Sequence, residues 1–311
     1  MSNRAFQRLA AAPVVLYALL VVTGGAVRLT GSGLGCPDWP SCYQNKLTAA
    51  ASFHPLIEFG NRLITVGVSL ISIVVFVAAL SLRPKRSELR WLAFGLIIGL
   101  VAQIVLGGLV VLFTLNPYLV ALHFVLTLVV LADAILLYSF AGREPSPLAK
   151  TVSVEVLWFT RLQLAVLGVL ICAGTLVTGA GPHAGGPGAK RIPIAFRDVA
   201  EMHSTIALFL IGLTLGGLFV LHLGKAPPGI QRQARAVLEL YAVQGALGYL
   251  QYSLHDAPLV VEFHLIVATS AFSATLILYL ACYGLGHAAG EPRRRTDRTA
   301  LESGVNQAVT A

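Results

Sequence analysis

The chain has 311 residues, 56% apolar and only 12% charged, with a mean hydropathy of +0.78 and a net charge of +8. No soluble domain of this length presents so much apolar surface to water, which excludes a soluble globular protein and leaves a polytopic membrane protein. The positive charge is divided among five separate segments, which argues against a nucleic-acid-binding surface.

Apolar runs close to the ~20 residues that a bilayer core demands predict eight spans, at 9–28, 56–80, 91–113, 118–140, 158–179, 198–222, 234–254 and 259–285. The first is expected to be retained, because the small-residue cluster "AAA" precedes its apolar run, whereas a signal-peptide cleavage site follows it. Between the first two spans lies "TGSGLGCPDWPSCYQN" (30–45), a Gly/Pro-rich polar loop with two of the four cysteines. The uncharged run from Trp91 to Ala132 is too long for one helix, and "LNPY" (115–118) supplies the turn that splits it. Past the last span, residues 288–311 are polar and expected to form a disordered cytoplasmic tail.

Basic residues set orientation, because Lys and Arg are retained in the cytoplasm. The N-terminus, the 2–3, 4–5 and 6–7 loops and the tail hold 15 of the 22. Both termini are therefore expected in the cytoplasm, in a multi-pass protein of the plasma membrane.

An internal duplication follows. Gln103, Gly107, Pro117 and His123 recur as Gln244, Gly248, Pro258 and His264, each displaced by 141 positions. Weaker echoes link "VVTGG" with "LVTGA" and the second span with the sixth. An even number of spans per half returns the chain to the same side, so the halves are parallel repeats about an axis along the membrane normal. The predicted architecture is all-α: two four-helix bundles in series, at 1–150 and 151–287.

Ionisable groups inside a span are expensive and by default face the bundle interior in a functional role. His123 and His264 each fall six residues after a helix-opening Pro, and His203 six after Arg197. All three therefore lie about 9 Å inside one boundary. His203 and His264 at matched depth are a donor pair for a six-coordinate haem iron, whereas zinc needs more ligands than are in view. In the first half the second span offers Asn61 at this level, on a stripe with His54, Glu58 and Thr65 that shares one helix face. The second half reads as saturated with a tight cofactor, the first as open to a reacting substrate. Glu201 and Glu262, two residues before their His, are expected at the interface, and Cys172 and Cys282 in the core. Asp133 reads as a polar interhelical contact or a mark on a proton path. Arg28, Arg62 and Arg197 are candidates to clamp haem propionates, with interfacial snorkelling the alternative.

With these residues the chain resembles haem A synthase, over about residues 10–285: eight spans in two repeats, "TGSGLGCPDWPSC" after the first, "IEFGNR" in the second, and buried His in the fourth, sixth and eighth. The resemblance implies a membrane enzyme that oxidises a methyl group of haem O to the formyl group of haem A. It implies that His203 and His264 ligate a permanent haem b, that the first half receives haem O with His123 as axial ligand, and that Glu58 is an essential carboxylate beside it. Many relatives read Glu-x-x-His-Arg on the second span, whereas here Asn61 precedes Arg62; haem O is then held by His123 alone or with His54. The partners expected are a haem O synthase and an electron donor, with a homo-oligomer compatible with the sequence. The alternative function is a b-type cytochrome with bis-His haem that only carries electrons.

By the charge count the 1–2 loop faces the oxidising side, where Cys36 and Cys42 are candidates for a disulfide. A staple over the first bundle, a redox relay and free thiols are its three readings. Oxidising an unactivated methyl requires chemistry that no side chain supplies, so a cofactor must carry it.

Overall fold

The computed structural model describes residues 1–43, 46–144 and 147–285; the tail expected at 288–311 lies outside them. Eight helices follow in order: α1 (Asn3–Leu29), α2 (Phe53–Leu80), α3 (Ser87–Leu112), α4 (Pro117–Ala141), α5 (Val154–Ala180), α6 (Phe196–Leu223), α7 (Pro228–Ser253) and α8 (Pro258–Ala281). Each predicted span is met by one helix. Local chemistry sets several starts. The Ser2 hydroxyl accepts from the Ala5 N–H, and the Asn116 side chain accepts from the Tyr118 N–H. Pro117, Pro228 and Pro258 occupy the first turn, where a missing N–H costs nothing.

Seven of these helices are long and apolar enough to cross a membrane, and the protein is a multi-pass membrane protein. α7, at 26 residues, is equally long but less apolar. Part of its polarity is turned towards protein: Gln233, Gln244 and Gln251 each have a buried side-chain oxygen, whereas Arg232, Arg235 and Glu239 are exposed in its first half.

Helices α1 to α4 pack as a ring in which each touches the next and α4 returns to α1; α5 to α8 form a second ring of the same kind. Diagonal pairs, α2 with α4 and α6 with α8, have no Cα atoms within 8 Å among the described residues. Directly packed helices lie about 8–10 Å apart, so each ring is wider along its axis than a helix–helix contact. The rings join through α1 against α8, α4 against α5, and α4 against α8. Exchanging α1 with α5 and α4 with α8 leaves this contact pattern unchanged.

The duplication is written into the backbone as well. Thr114 and Leu115 take φ of 53° and 55°, and His255 and Asp256, displaced by the same 141 positions, take 53° and 59°. The Leu115 N–H donates to Val110 O at 2.8 Å, and the Asp256 N–H to Gln251 O at 2.9 Å. One left-handed turn followed by a Pro thus delivers α4 and α8 into their rings in the same way.

At this end of the rings the 1–2 and 5–6 loops meet. The Gly33 N–H donates to Gly185 O at 2.8 Å, and Leu115 packs against Gly33, Gly185 and Gly186. At the opposite end Arg86, 2% exposed, reaches from the start of α3 to Phe140 O and Arg143 O, both at 2.9 Å, and to Glu88 at 2.8 Å. It caps the last carbonyls of α4. Replacing it removes a charged donor from each of these part-buried carbonyls and leaves Phe140 O only backbone N–H groups, so Arg86→Met is expected to cost about 2 kcal/mol. The thermal midpoint of the purified protein reads this; an unchanged midpoint would show that water replaces the guanidinium.

Candidate functional site

An imidazole is a broad side chain to place between packed helices, and each of the three site histidines has a glycine opposite it. A Cβ on Gly107 of α3 would lie 3.3 Å from His123 Cε1, and one on Gly248 of α7 the same 3.3 Å from His264 Cε1. On Gly174 of α5 it would lie 3.1 Å from His203 Cε1. Glycine lets each ring lie flush against the neighbouring helix, so the ring is fixed by packing. All three rings are half-buried, and each has its Nδ1 buried without a hydrogen-bond partner.

His203 on α6 and His264 on α8 belong to diagonal helices of the second ring. Two imidazoles on diagonal helices of a widened ring fit the donor set of a haem iron.

In the first ring His123 repeats this arrangement, and Gln103 fixes its backbone: the Gln103 amide donates to His123 O at 3.1 Å and to Thr127 Oγ1 at 2.8 Å. Gln103 and its repeat Gln244 each leave their Oε1 buried and unpartnered. On the diagonal helix α2, Asn61 is tied to α1, its Oδ1 accepting from Thr23 Oγ1 at 2.7 Å. His54 stands in the first turn of α2, exposed, with Nδ1 3.0 Å from Ser32 Oγ.

Glu58 and Arg62 form the floor on which the 1–2 loop rests. Cys36 and Cys42 are joined in a disulfide. Glu58, 5% exposed, accepts the Cys36 N–H through Oε2 at 2.7 Å and Arg62 Nη2 through Oε1 at 2.7 Å. The Arg62 guanidinium also donates to Cys36 O, Ser41 O and Asp38 O at 2.9, 3.0 and 3.2 Å. The loop is thus docked backbone-first onto one ion pair of α2.

The two other arginines go elsewhere. Arg28 donates through Nε to His183 O at 2.6 Å and through Nη2 to Thr178 O, closing the C-terminal end of α5. Arg197 pairs with Glu201 at 2.7 Å on the exposed face of α6. Two expectations are corrected. Glu262 does not sit at the interface: facing away from His264, it points across the ring boundary to α1, where a Cβ on Gly25 would lie 2.8 Å from its Oε2, and both its oxygens are buried without partners. Cys172 is exposed on α5, not in the core; a small apolar side chain loses nothing against lipid. The sequence reading also missed Thr23 and the role of the glycines. Gly107 and Gly248 were visible as repeat positions, but that they face histidines is a tertiary fact.

Fold and site together define an all-helical membrane protein with paired rings, a histidine pair in one and a disulfide-capped histidine in the other. The sequence profile of the cytochrome oxidase assembly protein family, COX15-CtaA, matches residues 7–52 and 47–185, more than half of the chain. The chain belongs to this family. Relatives named heme A synthase include that of Lysinibacillus sphaericus, 33% identical over 136 residues (43% of this chain, 44% of the relative). Those of Geobacillus thermodenitrificans and Bacillus pumilus are 36% and 39% identical over 114 and 124 residues (35% and 38% of this chain, 35% and 39% of theirs). The chain thus spans less than half the length of the curated relatives it matches.

Because Glu58 supplies the only side-chain acceptor seen for the Cys36 amide, Glu58→Ala is expected to release the loop. Hydrogen exchange over residues 34–42 should accelerate roughly 100-fold, the loss of a charge-assisted hydrogen bond of about 2.7 kcal/mol. Glu58→Gln, which keeps an acceptor, should exchange much more slowly than Glu58→Ala. Equal protection in all three proteins would place the loop's anchor elsewhere.

Proposed function

We propose that the protein is a haem A synthase: it oxidises a methyl group of haem O to a formyl group, with haem O received in the ring of α1 to α4 and a haem b held in the ring of α5 to α8. The observation that carries this reading is the asymmetry of the two rings. One offers His203 and His264 on diagonal helices, whereas the other offers His123 and ties the diagonal Asn61 into a hydrogen bond with Thr23.

His203 and His264 would hold the haem b, which when bound would supply electron transfer. His123 is assigned as the axial ligand of haem O, and the Gly107 niche keeps its ring oriented. Asn61, exposed His54 and Arg62 line the approach from α2; His54 is the candidate for a second ligand. Arg28 and Arg197 are the candidates for the propionates, and each would have to give up or share the partners it has here. In each of two successive hydroxylations a C–H of the substrate methyl would become C–OH with O2 as oxidant, one oxygen atom entering the product and the other leaving as water with two electrons from the donor and two protons; the geminal diol then loses water to give the aldehyde. Glu58 is assigned to accept a proton from the reacting carbon or to offset positive charge on it. The lid formed by the Cys36–Cys42 loop excludes water from the mouth of the ring. A haem O synthase as supplier and an electron donor are the partners this chemistry requires.

We place the protein in the plasma membrane with both termini in the cytoplasm, on the distribution of Lys and Arg. A reporter active only in the cytoplasm, fused to the C-terminus, is expected to be active; an inactive fusion overturns the orientation.

The purified protein is expected to show a low-spin haem b spectrum that His203→Ala and His264→Ala each abolish and His123→Ala leaves intact. A colourless protein would end the reading. Supplied with haem O and a reductant, the protein should yield the alcohol or aldehyde form on extraction and mass analysis. Glu58→Gln should lower conversion roughly 100-fold with haem O still bound. Haem O recovered unaltered from the wild-type protein would favour an electron-carrying cytochrome.

A further inference from the structure

Trp39, in the middle of the disulfide loop, does not stay with the loop's polar face. Its indole lies against Gly108 of α3, where a Cβ would stand 2.8, 2.9 and 3.1 Å from Cδ2, Cε2 and Cε3. These distances leave no room for any other residue at 108 unless the indole moves. The loop is anchored on α2 at Glu58 and Arg62 and its tryptophan reaches α3, so it bridges the seam between these two helices.

The level of that bridge follows from the adjacent residue. Gly107 faces His123 of α4, and one step along a helix is a turn of about 100°. Gly108 therefore stands at the height of His123 on another face of α3, and Trp39, laid on it from a loop anchored on α2, covers the α2–α3 seam at that height while keeping 39% of its surface exposed.

The repeat supplies an internal control. Displaced by 141 positions, Gly107 becomes Gly248, which again faces a histidine, but Gly108 becomes Tyr249, 78% exposed. A tryptophan seat is thus confined to the ring whose ligand must come and go; the ring assigned a permanent cofactor lacks it.

We propose that Trp39 is the movable wall of the substrate site: seated on Gly108 it seals the α2–α3 seam, and it swings from that seat to admit a membrane-dissolved porphyrin, which it then contacts. This rests on the assignment of haem O to the first ring. The partner chemistry is an extended apolar macrocycle arriving from the bilayer, for which an indole is both a hydrophobic seal and a stacking surface.

The test uses the full-length protein with its haem b in lipid nanodiscs, mixed with haem O by stopped flow and followed in the Soret band. Trp39→Ala and Gly108→Ala are expected to speed haem O entry and exit about tenfold each, with the haem b spectrum unchanged; Trp39→Phe should fall between them and wild type. In a Trp91→Phe/Trp158→Phe background labelled with 5-fluorotryptophan, the single 19F line of Trp39 should shift or broaden when haem O binds. Entry and exit rates within twofold of wild type, together with an unmoved 19F line while haem O binds in a His123-dependent way, would overturn the proposal. Absence of any His123-dependent haem O spectrum in the wild-type protein would instead overturn the assignment of the first ring.

Discussion

A polar side chain in the hydrocarbon core cannot borrow a hydrogen bond from water, and it is tolerated only where protein or ligand takes its place. The arrangement of both rings follows from meeting that constraint for three imidazoles. Each is set against a glycine of the adjacent helix, which lets the ring pack flush and holds its plane. Diagonal helices are held apart by the ring of direct neighbours. The result is a set of imidazoles held by packing at one level of two four-helix rings.

Two copies of one plan have diverged at few positions. Gln, Gly, Pro and His recur at 141 residues, and so do the left-handed residues that introduce α4 and α8. What differs is the diagonal partner: His203 in one ring, Asn61 turned to Thr23 in the other. The lid differs too, because only the 1–2 loop carries the disulfide. Yet the halves are latched at this end. The Gly33 N–H reaches Gly185 O, Arg28 reaches into the 5–6 loop, and His183 Nε2 lies 2.7 Å from Asp256 O of the 7–8 turn. The mouth of the first ring is therefore supported by loops of the second.

Spans and repeat were legible in the sequence because both are periodic: bilayer thickness sets run length, and duplication sets a fixed displacement. α7 was the marginal case, since exposed Arg232, Arg235 and Glu239 and three glutamines with buried oxygens together depress its hydropathy. The histidines were legible because an ionisable residue in an apolar run is conspicuous. Glu262 was misread for a geometric reason: facing away from the histidine does not mean facing headgroups when a second ring stands on that side. Thr23, Gly174 and Gly108 gave no signal of their own. Glycine and threonine are common in apolar helices, and their roles exist only once a second helix or a loop is laid against them. The docking of the 1–2 loop was invisible for the same reason, as it is made by backbone groups that every residue carries.

The position of that loop is decided by Arg62 and Glu58 more than by its disulfide. Closing a loop with a sequence separation of 6 stabilises by about 2 kcal/mol in the chain-entropy model, and it acts on the loop's shape wherever the loop lies. The guanidinium of Arg62 holds three carbonyl oxygens of the loop, and Glu58 its Cys36 N–H. Charge-assisted bonds contribute about 1.5–3 kcal/mol each, and four such contacts outweigh the cross-link even after discounting the half-exposed ones. A lysine at position 62 could not replace the planar fork that reaches three acceptors at once. The carboxylate assigned to the reaction and the anchor of the lid are thus one residue pair, so an event that frees the loop also strips donors from Glu58. Opening of the mouth and the charge environment of the carboxylate are coupled through a four-residue step on a single helix.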